Sequence, residues 1–172
     1  MKLFQEILKY QYDEVLESIQ VGRLISMASN GLLSQEESTF NECHKVLVEL
    51  FTRPYTSICK KRPETNSIVV RLYNSHVHRI VKNCIEVILS QRAVLYVKGC
   101  GHLLHVMNAA EVTGFGKRLK IERGFINDIL ENYPEKISQD KNIADSITKI
   151  LNASSKEAAE DLAISTNSKI NE

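Results

Sequence analysis

The sequence predicts an α/β fold, a two-layer sandwich built as strand, helix, strand, helix, strand and preceded by a helical extension. Three observations predict it. Two apolar, β-branched runs have strand length, a third run alternates apolar with polar residues, and amphipathic stretches of helical period separate them. That order implies right-handed crossovers and helices covering a sheet. At 172 residues, with 43% hydrophobic and 25% charged residues, the chain suits one globular domain with appendages, which excludes collagenous, disulfide-knot and wholly disordered classes.

The first helix is predicted by Leu3, Ile7, Leu8, Val15 and Ile19, which recur near a 3.6-residue period until Gly22 and the Ser29-Asn30-Gly31 cluster interrupt it. Ser34 with Glu37 three residues on reads as a capping box. It opens a second helix with Phe40, Cys43, Val46, Leu47 and Leu50 on one face, ending near Arg53-Pro54. Lys60-Lys61-Arg62-Pro63 is a basic linker, and Ile68-Val69-Val70-Arg71-Leu72 the first strand. Asn74-Ser75 cap a helix carrying Val77, Ile80, Val81, Cys84 and Ile88 inward; Ala93–Val97 is the second strand, closed by Gly99-Cys100-Gly101. A third helix runs from His102 to Val112 with Leu103, Met107 and Ala110 inward, and Gly114-Phe115-Gly116 ends it. Leu119, Ile121 and Phe125 alternate in a third strand. Residues 146–151 read either as a returning fourth strand or, over Ala144–Leu151, as a short helix. The organisation is thus an acidic helical extension over 1–59, an α/β module over 60–151 and a mobile or weakly helical polar tail over 152–172.

A net charge of +1 conceals three blocks. Residues 1–59 hold 5 Lys+Arg against 8 Asp+Glu, residues 60–125 hold 12 against 4, and residues 126–172 hold 5 against 9. The middle block, at +8 between flanks of −3 and −4, carries a field suited to a polyanion. The acidic flanks could fold over it. No run approaches the length of a membrane span, and Glu6 stands where a signal peptide would need its apolar region, so the expected setting is soluble, in nucleus or cytoplasm, without a membrane partner. Cys43, Cys59, Cys84 and Cys100 form no CxxC pair and read as free, buried thiols.

From Ile68 to Arg123 the strand, polar turn, amphipathic helix and Ala93-Val94-Leu95-Tyr96-Val97-Lys98-Gly99-Cys100-Gly101, leading to Ala109-Ala110-Glu111-Val112, resemble the Alba family. The likeness is greatest to the Alba-like subunits of ribonuclease P and ribonuclease MRP. The resemblance implies a non-catalytic subunit of a ribonucleoprotein of tRNA processing that binds RNA, or DNA, and pairs with itself or with a second Alba-like chain. The chain departs from the archaeal pattern in having Asn74, Ser75, His76 and His78 instead of a lysine pair, and an acidic stretch in place of the basic hairpin after Arg123.

The candidate nucleic-acid-binding residues follow from charge and from that turn. Gly99 and Gly101 let backbone N–H groups and a helix amino end approach a phosphate, or else serve only a tight turn. Lys98 and His102 flank them. Arg71, His76, Arg79 and Lys82 belong to the first strand and helix, and Lys117, Arg118, Lys120 and Arg123 surround the third strand. Tyr73 and Tyr96 are stacking platforms or core. The lone Gly-Cys-Gly lacks the lysine and hydroxyl of a P-loop. His76, His78, His102 and His105 lack the thiolates or carboxylates that would close a zinc site, so no metal or cofactor is expected, and no nucleophile–base set suggests an enzyme. The alternative is an adaptor whose acidic helices dock a protein partner.

Overall fold

The structure, a computed structural model, describes residues 6, 15–16, 18, 20–52, 63–109 and 121–171, with only the backbone at 63–70 and 109. Among the described residues there are helices and no strand. They are α1 (Val21–Gly31), α2 (Glu37–Thr52), α3 (Pro63–Leu89), α4 (Val94–Ala109), α5 (Arg123–Leu130), α6 (Glu135–Ser138), α7 (Lys141–Leu151) and α8 (Lys156–Asn171). The α/β expectation is therefore overturned. Ile68–Leu72 lies inside α3, Ala93–Val97 runs into the first turn of α4, Phe125 is helical in α5, and residues 146–151 take the helical alternative in α7. Leu119, Gly114–Gly116 and the 60–62 linker lie outside the described residues.

The physical reason is that burial outweighs local preference. In α3, Leu72, Tyr73, Ile80, Val81, Cys84, Ile85 and Ile88 are buried with helical period, while Arg71, Asn74, Ser75, His78, Arg79 and Lys82 are exposed. A β-branched residue costs a helix a few tenths of a kcal/mol, whereas burying an Ile or Val side chain contributes about 1.5–3 kcal/mol. In α4 the buried period Val97, Cys100, Gly101, Leu104, Met107 runs straight through the glycines that read as a turn.

The chain forms two compact units, residues 1–83 with 110–119 and residues 84–109 with 120–172. In the first, Val15 is helical and buried as its period predicts, and so is Leu16 beside it; Leu3, Ile7, Leu8 and Ile19 lie outside the described residues. Helix α1 passes through Gly22 and ends at Gly31, where any Cβ would collide with the Cys43 side chain of α2. Helix α2 buries Phe40, Cys43, Val46, Leu47 and Leu50 as its period predicts and stops at Thr52. Its start differs from the expected box. The Ser34 hydroxyl accepts the Glu36 N–H at 3.1 Å, and the Glu36 carboxylate accepts the Ser38 and Thr39 hydroxyls at 2.8 and 2.6 Å. Buried Asn83 on α3 donates to the Ser29 carbonyl at 2.8 Å and to its hydroxyl at 3.2 Å, satisfying polar groups near the end of α1.

The second unit contains the same supersecondary plan twice. Ile85, Ile88 and Leu89 end one helix as Ile147, Ile150 and Leu151 end another; turns 90–93 and 152–155 follow; then Val97, Gly101 and Leu104 are buried on α4 at the positions where Ala159, Ala163 and Thr166 are buried on α8. The hairpins clasp each other reciprocally. Asn108 of α4 donates to the Leu151 carbonyl at 3.0 Å and accepts the Ile121 N–H at 2.9 Å, while Asn167 of α8 donates to the carbonyls of Ile88 and Ser90, each at 2.7 Å. Helices α4 and α8 thus run antiparallel, crossing where a Cβ on Gly101 would lie 2.6 Å from the Ala163 Cβ and 2.8 Å from the Ala159 carbonyl oxygen. This crossing corrects the expected polar tail: residues 156–171 form a packed helix whose small residues permit a close approach.

Candidate nucleic-acid interface

The carboxylate-free stretch from Thr65 to Ile85 becomes geometry once it is helical. Arg71, Ser75, His78 and Lys82 follow i, i+4, i+7, i+11 spacing and so form one line along α3, with Arg79 beside it and Asn74 on the other flank. All six are exposed. From Arg71 to Lys82 the line extends about 16 Å along the axis. Among the described residues Arg71, Arg79 and Lys82 are in no ion pair, and all three are exposed. Leu72, Tyr73, Ile80 and Val81 anchor the opposite face and hold the line outward.

His76 lies off this line and is half-buried. Burial, and then the Arg79 guanidinium, hold its pKa below the ordinary histidine value, which disfavours its charged form. Tyr73 is no stacking platform. It is buried edge-on to Phe51 with ring centroids 6.0 Å apart, and burial pushes its hydroxyl pKa well up. Tyr96 is half-buried, with the Arg92 guanidinium 5.8 Å from its ring centroid.

The expected glycine cradle does not exist. Lys98, Gly99, Gly101 and His102 belong to the second unit and lie within α4, where backbone N–H groups serve the helix itself and no helix amino end is presented. Gly101 is buried against α8, so its missing Cβ serves helix packing rather than a phosphate. His102 is half-buried. Burial, then Lys156, lower its pKa, against the opposing pull of Glu160. Arg123 opens α5 and is ion-paired with Asp145 of α7, away from the α3 line. Lys117, Arg118 and Lys120 lie outside the described residues. Of the predicted residues, the structure brings Arg71, Arg79 and Lys82 onto one face and places the described others elsewhere. His78, Ser75 and Asn74 join that face; the signal was their spacing from Arg71, which only a helical reading reveals.

Among the described residues no three His, Cys, Asp or Glu side chains are grouped to hold a metal. Burial pushes the Cys43 and Cys84 thiols up and keeps them protonated. A cavity of about 360 Å³ between α7 and α8 is lined by Asp140 and Asp145 among others. Both carboxylates are already engaged, Asp140 by the Asn142 N–H at 2.8 Å and Asp145 by Arg123. Among the described residues no helix is long and apolar enough to cross a membrane. No family model, no curated protein and no solved structure matches this chain.

Proposed function

We propose that this protein is a non-catalytic RNA-binding protein whose contact surface is the exposed face of α3. The observation that carries the reading is the line of Arg71, His78 and Lys82 with Arg79 beside it, on a stretch of helix with no carboxylate between Glu64 and Glu86. Three guanidinium or ammonium groups spread over about 16 Å of rigid helix meet successive phosphates, and Asn74 and Ser75 add hydrogen-bonding groups between them. The α/β resemblance contributes nothing to this reading, because the chain does not have that fold. RNA is favoured over duplex DNA on the polar, short side chains of Asn74 and Ser75, which suit 2′-hydroxyls.

Neutralising three phosphates gives a log–log salt slope of about −2.1 to −2.7, so affinity for a structured RNA should fall on the order of 20- to 40-fold between 50 and 200 mM salt. Arg79→Glu and Lys82→Glu should each weaken binding and flatten that slope by about one unit. Titration of a labelled structured RNA and a matched DNA duplex at both salt concentrations checks this. Tight binding indifferent to both reversals would remove α3 from the interface, and equal affinity for the duplex would make the ligand class DNA or nucleic acid in general.

A further inference from the structure

The cavity of about 360 Å³ in the second unit lies between α7 and α8. On α7 its lining residues Asn142, Asp145, Ser146 and Lys149 follow i, i+3, i+4, i+7 spacing and form one line, with Asp140 where the helix begins. The matched positions of α3 are Ile80, Asn83, Cys84 and Val87, all buried. The hairpin plan is compatible with a closed face at these positions, so the polar lining belongs to the second copy alone.

Charges of both signs line the cavity and do not cancel across it. Asp145 pairs with Arg123, which is not part of the lining. Asp140 accepts the Asn142 N–H at 2.8 Å through one carboxylate oxygen and is in no ion pair among the described residues. Lys149 of α7 and Lys169 of α8 are also in no ion pair among the described residues, although Lys149 stands at the i+4 spacing from Asp145 at which helical pairs form. Between the charges, the half-buried Ser146 hydroxyl makes no hydrogen bond among the described residues. Buried Thr166 donates its hydroxyl to the Leu162 carbonyl at 2.8 Å, which leaves its oxygen as an acceptor. Ile143 and Ile170 supply the apolar part of the wall.

A ligand of one sign meets its own charge here: an anion drawn to the lysines faces Asp140, and a cation drawn to Asp140 faces two ammonium groups. A molecule that carries both charges satisfies both. Asp140 and Lys149 are about 13 Å apart along the helix axis at the backbone. A lysine side chain on a helix leans toward the amino end, so the two charged groups come closer than that, within the span of a small molecule. The volume is also that of a small-molecule site.

We infer that the α7–α8 cavity binds a small zwitterion, a free amino acid or a dipeptide. Its ammonium sits on the Asp140 carboxylate, its carboxylate lies between Lys149 and Lys169 and accepts the Ser146 hydroxyl, and its side chain rests on Ile143 and Ile170. The site is separate in residues from the α3 face and does not depend on RNA binding.

Melting of the full chain with each common L-amino acid and with a set of glycine-containing dipeptides, at millimolar concentration, tests this, followed by calorimetric titration of the probes that stabilise it. At least one probe should raise the melting temperature and bind one to one. Its N-acetyl and carboxamide derivatives, each lacking one charge, should bind about tenfold more weakly or worse. Asp140→Asn keeps a residue that caps helices, and Lys169→Met keeps the aliphatic stem, so both should melt like the parent without ligand and bind the probe about tenfold more weakly. Tighter binding by dipeptides or by free amino acids supports the proposal in either case and fixes the length of the ligand. Four results would each overturn it: no probe binds; the N-acetyl derivative binds as tightly as the probe, which makes this an anion site; the carboxamide does, which makes it a cation site; or both variants bind undiminished, which places the zwitterion elsewhere.

Discussion

The hairpins α3–α4 and α7–α8 share what packing requires and differ in what faces outward. Both close a helix on Ile, Ile, Leu, turn, and bury a small or apolar residue every turn of the next helix; each lends an asparagine to the carbonyls that end the other's first helix. Yet α4 carries Gly101 where α8 has Ala163, His102 where α8 has Ile164, and Val94-Leu95 where α8 has Lys156-Glu157. The first difference makes the crossing possible, because two Cβ atoms cannot occupy it. The other two are not demanded by the backbone, since the matched copy does without them, and so they are where function and environment can be read.

The largest expected effect breaks the crossing itself. Gly101→Leu must push against the Ala159 carbonyl oxygen, which cannot move without unwinding α8, and should cost at least about 3 kcal/mol in urea unfolding. Even Gly101→Ala, which gains close to 1 kcal/mol of helix propensity, should come out destabilising; a stabilised alanine variant would mean that the helices do not approach so closely. Next in size are the asparagines. Asn108 is buried and its loss orphans the Leu151 carbonyl and the Ile121 N–H, so Asn108→Ala should cost about 2 kcal/mol. Asn167 is only half-buried, water can reach the carbonyls it serves, and Asn167→Ala should cost about 1 kcal/mol. Equal losses would show that the clasp is symmetric in energy as well as in plan.

How much was legible can be judged from α2 and α4. Phe40, Cys43, Val46, Leu47 and Leu50 repeat without a glycine or a β-branched run among them, and pattern and propensity agree on a helix. In α4 they conflict. Val94-Leu95-Tyr96-Val97 has strand length and strand composition, and Gly99 and Gly101 punctuate it like a turn; the helical answer lay in the longer period from Val97 through Cys100, Gly101, Leu104 and Met107. The tail misled for the opposite reason, because Ala159 and Ala163 look like linker residues until Gly101 is seen to need them. The recurrence of Ile85, Ile88 and Leu89 as Ile147, Ile150 and Leu151 was also on the page, but three residues identify a repeat only once the flanking turns are helical boundaries. For the site, the cations of α3 stood out by type. Their alignment did not, since a strand through Arg71 followed by a helix from Ser75 would have set Arg71 apart from Lys82. Lys98, Gly99, Gly101 and His102 were joined by a turn that the packing of α4 on α8 excludes.

The smallest effect sharpens the comparison at His102 and Ile164, two half-buried residues at matched positions. The His102 imidazole is held below its ordinary pKa by burial first and by Lys156 next, with Glu160 pulling the other way; His76, in the other unit, is lowered by burial and then by Arg79. Unfolding returns both rings to water, where they bind protons near pH 6.5. Between the lowered value and 6.5 the unfolded chain therefore holds more protons than the folded one. Stability should be flat near pH 7.5 and fall as the pH drops below about 6.5, a window above the range in which Glu36 and Glu157, both lowered, begin to matter. His102→Ile, which copies α8, should remove part of that fall and leave the part due to His76; His76→Gln should remove a further part. Urea midpoints measured between pH 7.5 and 5.5 decide the matter, and a His102→Ile protein that loses stability as steeply as the parent would show that the ring of α4 is as free to take a proton in the fold as in water.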